Sequence, residues 1–317
     1  MLSVCPISSG DYLSYVEEEG PGEWVGTGSK ILELPKEVTA EDYRAVRLGL
    51  HPETGEALRI RQVVDRTYNK PWGQETYKAR ELFDLVISAP KTVSVMNFDP
   101  RVSESHQLAV AHTWHEMEHL CGAMVIAEYP HHYSRTLDPQ EHTHLLTPNL
   151  AFDGDKWRTL HVNNLYLEQA QLTEQYREKL LGQLEREGYR IKYPELADVP
   201  EEVAEKFSQR SKEKEAGMRE HAARHGIPPE ALSNKERAVI VRETRPEKQL
   251  LPRETIQAIQ WARLSNSERN ELIRIRDQSL DRPRERINLN SYNKYEPEAP
   301  REHWDYGETG SFRTRPF

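Results

Sequence analysis

The stretch His131-His132-Tyr133-Ser134-Arg135-Thr136-Leu137-Asp138-Pro139-Gln140-Glu141-His142-Thr143-His144 decides how this chain is read. His142 and His144 stand two apart in a run that continues into Leu145-Leu146-Thr147-Pro148-Asn149-Leu150, and the run reads as a β-strand. Side chains alternate along a strand, so both imidazoles share one face and form a chelating pair. Asp138-Pro139 marks a turn just upstream. A third histidine, His131 or its neighbour His132, can fold back across that turn and complete a three-histidine site with positions open for substrate. The plainer reading of a His-x-His pair is two hydrogen-bonded core histidines, so the spacing is weighed with its surroundings.

With 317 residues the chain has room for one large domain or two modest ones. Its 2 cysteines, Cys5 and Cys121, are too few for a disulfide framework and suit a reducing compartment. No leader-like N-terminus and no run of membrane-spanning length is read, so the expectation is a soluble cytoplasmic protein. The net charge of -9 argues against a chain that merely coats nucleic acid through bulk positive charge. The balance is uneven, however. Residues 1–200 carry 20 Lys and Arg against 31 Asp and Glu, whereas residues 201–290 carry 19 against 16. In that later part Arg242, Arg245, Lys248, Arg253, Arg274, Arg276, Arg282, Arg284 and Arg286 are candidates to follow a phosphate backbone, the alternative being a solvated helical surface.

Going outward from the histidines, Glu81-Leu82-Phe83-Asp84-Leu85-Val86-Ile87-Ser88-Ala89-Pro90-Lys91-Thr92-Val93-Ser94-Val95 reads as a strand followed by a helix start after Pro90. Asp84 is an acid in an otherwise apolar strand and needs a partner. A histidine on a neighbouring strand supplies one and is oriented in return; the alternative is an edge position facing water. A helix is predicted from about Ser103 to Ala127, and inside it His115-Glu116-Met117-Glu118-His119 fits H-E-x-x-H, the zinc-protease helix. No third-ligand signature follows it, and His112, His115 and His119 share one polar side, so a solvated helical face competes with the protease reading.

Near the start, Ser8 to Glu19 reads as a helix with Tyr12 and Tyr15 on one face, buried packing being the plain reading of such a pair. Trp24 with Gly26 and Gly28 suggests a turn-rich connection, and a short helix is expected from Thr39 to Arg47. After the histidine strand, Asp153-Gly154 marks a hairpin, and Trp157 packs under the sheet, the alternative being a stack on a base. Helices are predicted over about 164–187, 200–226 and 228–245 and from 252 to before Pro283, with a short strand at 189–193. Residues 288–317 read as an extended or disordered tail.

Three blocks therefore stand in order: the N-terminal tyrosines, Phe83 to Ser94, and His131 to His144. Together they resemble the relaxase domain of the MobF class of conjugative relaxases, among the HUH endonucleases. The resemblance implies an α+β fold, a central antiparallel sheet flanked by helices with a helical C-terminal region. It divides the chain into a catalytic core over 1–200, a helical DNA-contacting extension over 201–287 and the tail. It implies that His131, His142 and His144 bind Mg²⁺ or Mn²⁺, His132 being the fallback for the first. Asp84 matches the acid that contacts a metal-site histidine or accepts the tyrosine proton. Tyr12 or Tyr15 is the implied nucleophile, attacking single-stranded DNA at an origin-like site to leave a 5′-phosphotyrosine and a free 3′-hydroxyl, which allows rejoining. The implied setting is transfer of a plasmid or mobile element.

The sequence departs from this pattern in three respects, one of them the acidic balance of residues 1–200, which a metal site can offset locally. It carries one tyrosine pair where family members often carry two, and no G-x-x-x-x-G-K-[ST] loop occurs in it, so a separate helicase and accessory DNA-binding proteins are the expected partners. Two alternatives remain: a rolling-circle replication initiator with the same chemistry, and a non-catalytic DNA-binding remnant of the fold.

Overall fold

The computed structural model describes residues 1–7, 22–59, 65–247, 249 and 251–282. The expected helix over Ser8 to Glu19, with Tyr12 and Tyr15, and the expected tail lie outside these residues. The centre is a five-stranded antiparallel sheet in the spatial order Leu2–Ile7, Leu82–Ser88, Pro139–Pro148, Ile126–Tyr133, Glu23–Val25. The middle strand, Pro139–Pro148, has no exposed residue, because a central strand is covered on both faces.

Alternation sorts these strands cleanly. Phe83, Leu85, Ile87, Leu145 and Ile126 enter one core with Met117, Tyr176 and Leu180 from two long helices, Pro100–Cys121 and Gln169–Arg186. Leu82, Leu146, Ala127 and Tyr129 enter a second core on the other face, with Trp24 and with Tyr43 and Val46 of the Ala40–Arg47 helix. Each such fully buried side chain contributes about 1.5–3 kcal/mol. The second core covers only one end of its face. At the other end that same face presents Asp84, His142 and His144.

The Pro100–Cys121 helix starts where Asp99 accepts a hydrogen bond from the Arg101 amide and Pro100 takes the first helical position. It stops at Gly122, six residues short of the sequence expectation. Gly122 has φ 87, and a Cβ there would meet the Phe152 carbonyl at 2.8 Å. Val125 to Ala127, read as the end of a helix, belong instead to the chain entering the Ile126–Tyr133 strand. The connection at Trp24 is likewise ordered, with the short Glu23–Val25 strand leading into the Thr27–Ile31 helix.

The later helices are shorter than the periodicity suggests: Glu201–Lys206, Gln209–His225, Asn234–Glu243, Arg253–Ala262 and Asn266–Asp281. Ser233 and Ser265 each open a helix with a capping box, to Glu236 and Glu268. Val203, Phe207, Leu264, Leu272 and Ile275 pack into the same core as Leu85 and Leu145, so the helical region from 201 onward is continuous with the sheet in packing. A ribbon of two strands, Arg66–Lys70 and Gly73–Tyr77, has no counterpart in the sequence reading. Nearly all its residues are exposed, and Trp72 at its turn is 77% exposed. No helix among the described residues is long and apolar enough to cross a membrane.

Candidate metal centre

The turn between Ile126–Tyr133 and Pro139–Pro148 brings His131 directly opposite His142, and Tyr129 opposite His144. Directly paired residues share a face. His131, His142 and His144 therefore meet, with ring centroids 5.1, 5.2 and 5.3 Å apart, close to an equilateral triangle. For metal–nitrogen bonds of about 2.1 Å a ring centroid stands roughly 3.2 Å from the ion, which places three ligating rings about 4.6–5.3 Å apart. The spacing fits. As the side chains stand, no group of three His, Cys, Asp or Glu among the described residues is gathered tightly enough to hold an ion, so convergence of the nitrogens is left to small ring rotations.

The hydrogen bonds support that fit. His144 Nδ1 lies 2.9 Å from both carboxylate oxygens of Asp84, which is 5% exposed on the adjacent Leu82–Ser88 strand. The expected partner of the buried acid is thus a histidine of the pair, across one strand. His142 Nδ1 lies 3.1 Å from the Gln140 carbonyl. With Nδ1–H donating in each ring, Nε2 keeps the lone pair that a metal takes. Burial, and then the neighbouring His144 and His131, hold the His142 imidazole well below its usual range. It is neutral at pH 7, as a ligand must be.

His132, the fallback ligand, goes elsewhere. The ladder shifts register between His131 and Tyr133, and such a bulge re-aims the side chain next to it. His132 Nδ1 lies 2.9 and 3.1 Å from the oxygens of Glu141, which alternates with His142 and so sits on the helix-covered face. Burial pushes the Glu141 carboxyl up, but the hydrogen bond and charge of His132 outweigh it and leave it below the usual range. Beneath the chelating pair, Thr143 Oγ1 is 3.0 Å from His106 Nε2, and His106 Nδ1 is 2.6 Å from the Tyr176 hydroxyl. These buried polar groups carried no signal in the sequence, since each partner is far away along the chain.

Within the H-E-x-x-H stretch the motif's own glutamate is Glu116, and the acid with a structural role is Glu118 at one of the x positions. Glu118 accepts hydrogen bonds from the Thr27 amide at 2.7 Å, the Thr27 hydroxyl at 2.8 Å and the Met124 amide at 2.9 Å, so this buried carboxylate holds the start of the Thr27–Ile31 helix. His115 and His119 are not part of any metal-holding group among the described residues. Several of the C-terminal arginines are engaged as well: Arg274 with Glu271, Arg276 with Asp277, and Arg282 with Asp198 and the Gly188 carbonyl.

Comparison with known families gives a match over residues 7–267 to the TrwC relaxase model. The chain belongs to the TrwC relaxase family. Its sheet of five antiparallel strands flanked by helices is the relaxase fold expected from the three blocks. The Escherichia coli K12 multifunctional conjugation protein TraI is 27% identical over 250 residues, which is 67% of this chain and 14% of TraI. The chain thus spans about a seventh of that relative. A solved structure of TrwC complexed with a 27-mer DNA comprising the recognition hairpin and the cleavage site is 25% identical, covers 83% of this chain and 97% of the chain in that structure, and gives a TM-score of 0.68. A metal-bound structure of TrwC in complex with oriT DNA, 24% identical over the same shares, gives 0.67 and adds a likeness of fold.

Proposed function

We propose that this relaxase-family chain nicks and rejoins single-stranded DNA at an origin-like site in conjugative transfer. The chemistry is metal-dependent and passes through a 5′-phosphotyrosine. The observation that carries the reading is the triangle of His131, His142 and His144 on the open end of one sheet face, with Asp84 fixing one member. These three would hold a divalent ion, Mg²⁺ or Mn²⁺, which when bound polarises the scissile phosphate and offsets its developing charge. Asp84 and the Gln140 carbonyl orient the ligating rings. A phenol with a pKa of about 10 needs help to attack at neutral pH, and the nucleophile is Tyr12 or Tyr15.

The DNA-contacting surface combines the exposed ribbon, with Arg66, Tyr68, Lys70, Trp72 and Tyr77, and the basic stretches of the later helices. Exposed aromatics interleaved with cations suit base stacking and phosphate contact. The TrwC complexes with DNA point the same way by likeness.

The test incubates the chain with Mn²⁺ and single-stranded oligonucleotides from its own genetic neighbourhood and looks for a denaturation-resistant protein–DNA adduct. An adduct lost in His142→Ala and in one of Tyr12→Phe or Tyr15→Phe is the expected result. Binding of oligonucleotide without any adduct would overturn the catalytic reading in favour of a DNA-binding remnant.

A further inference from the structure

The reverse face of the sheet carries a second histidine–carboxylate unit immediately behind the first. His132 follows His131, and Glu141 precedes His142, so their hydrogen bond crosses between the two strands one residue away from the ladder pair His131 and His142. Glu141 is 1% exposed, and its backbone is fixed on both sides: its amide donates to Ser94 Oγ at 3.1 Å and its carbonyl accepts from the Ala89 amide at 2.9 Å. The His132 carbonyl accepts from Asn97 Nδ2 at 2.8 Å. A bulged strand is otherwise free to shift at this point, because the ladder is interrupted there.

The outer nitrogen of the His132 ring is also engaged. Arg253, the first residue of the Arg253–Ala262 helix, donates from Nη1 to His132 Nε2 over 3.3 Å. That bond leaves the proton on Nδ1, where Glu141 needs it. The far end of the same helical segment grips the turn beyond the bulge. Gln260 Nε2 donates to the Leu137 carbonyl at 3.0 Å, and Arg263 Nη2 donates to Asp138 Oδ1 at 2.7 Å. Asp138 is 1% exposed, and its other oxygen accepts from the Gln209 amide at 2.9 Å. Arg135 Nη1 reaches the Pro246 carbonyl at 3.2 Å. One helical region therefore holds the His131-bearing hairpin from its bulge to its tip.

We propose that His132 is a positioning residue: clamped between Glu141 and Arg253, it sets the separation of His131 and His142 and makes that separation depend on the seating of the Arg253–Ala262 helix. This rests on the reading of the three histidines as a metal centre. A ligand that shifts the helix then shifts the affinity for the ion, and the ion shifts the affinity for that ligand by the same factor. The later helices are where the chain's positive charge is concentrated, so a polyanion is the ligand class concerned.

The experiment is a Mn²⁺ titration of the whole chain, followed by the electron paramagnetic resonance of free Mn²⁺, with the thermal midpoint of each variant recorded without metal. Arg253 is exposed, and Arg253→Ala leaves the core intact. It is expected to weaken Mn²⁺ about three- to tenfold, at or below the lower edge of the range for direct outer partners of metal ligands. Arg253→Lys, which keeps an N–H donor, should recover most of the loss. His132→Phe removes both bonds and should lose more than Arg253→Ala. The control is Arg269→Ala, whose side chain donates to the Trp261 carbonyl in the same helical region and does not reach the hairpin; it should lower the midpoint and leave the Mn²⁺ isotherm unmoved. Isotherms within twofold of wild type for both Arg253→Ala and His132→Phe would overturn the proposal, as would an equal loss in Arg269→Ala. Absence of Mn²⁺ uptake by the wild-type chain is a separate failure: it removes the metal centre itself, and the positioning role with it.

Discussion

Asp84→Ala tests the orientation argument most directly. The carboxylate is 5% exposed and both of its oxygens stand 2.9 Å from His144 Nδ1, so the substitution strips the ring of this anchor and frees it to turn or change tautomer. Outer partners of this kind are worth about 10- to 100-fold in metal affinity, which is roughly 1.4–2.8 kcal/mol. Asp84→Asn keeps an oxygen acceptor for the Nδ1–H but no charge, and its loss should sit near the lower figure. Stability without metal moves less, because removing a buried anion relieves desolvation while a buried N–H loses its acceptor, a term of about 1–3 kcal/mol. The assay is the Mn²⁺ isotherm, paired with adduct yield on a cleavable oligonucleotide across Mn²⁺ concentration. If Asp84 acts by orienting His144, saturating Mn²⁺ restores the yield; if it takes the tyrosine proton, the yield stays low at saturation. A folded Asp84→Ala chain that binds Mn²⁺ within twofold of wild type would refute the orientation argument.

Three further outcomes follow from the geometry. Burial lowers the pKa of His106 from its usual 6.5 to about 4, so between those values the unfolded chain binds a proton that the native one does not. Metal-free stability should be intact above pH 6.5 and fall by about 3 kcal/mol as the pH drops toward 4; a His106→Gln variant whose urea midpoint declines just as steeply would contradict this. Gly188 has φ 88, and a Cβ would meet the Ser279 carbonyl oxygen at 2.1 Å, so Gly188→Ala should cost about 2–4 kcal/mol by prising off the Asn266–Asp281 helix, read as a lowered thermal midpoint. Trp72→Ala, at a 77% exposed turn, should leave that midpoint unchanged and weaken oligonucleotide binding by about 1–3 kcal/mol in a fluorescence anisotropy titration; unchanged binding would take the ribbon out of the DNA-contacting surface.

What the sequence made legible was local or periodic. His142 and His144 share a face because strands alternate, and Asp84 announced a partner because an acid in an apolar strand needs one. Spacing alone left His131 and His132 open, and only the resemblance favoured His131, since adjacent residues are sorted by a bulge that exists only once two strands pair. The 66–77 ribbon escaped notice because nothing in it is buried, which leaves no apolar period to see. Val125 to Ala127 fitted helical and strand patterns equally, and the deciding residue was Gly122, whose positive φ answers to Phe152, a contact made in space.

The turn Ser134 to Asp138 has a consequence for chain length. Surface loops ordinarily forgive insertions, because lengthening a loop costs little closure entropy. This one is closed on itself, with the Ser134 amide donating to the Asp138 carbonyl and Leu137 at φ 59, and it is gripped from outside at Arg135, Leu137 and Asp138. Adding one residue there would break the grip and pull on the strand that carries His131. The same addition beside Gly55, where a Cβ meets nothing within 4 Å, should pass almost unnoticed. Among homologues of this chain, the length of the first turn should be held nearly constant and the length of the second should drift.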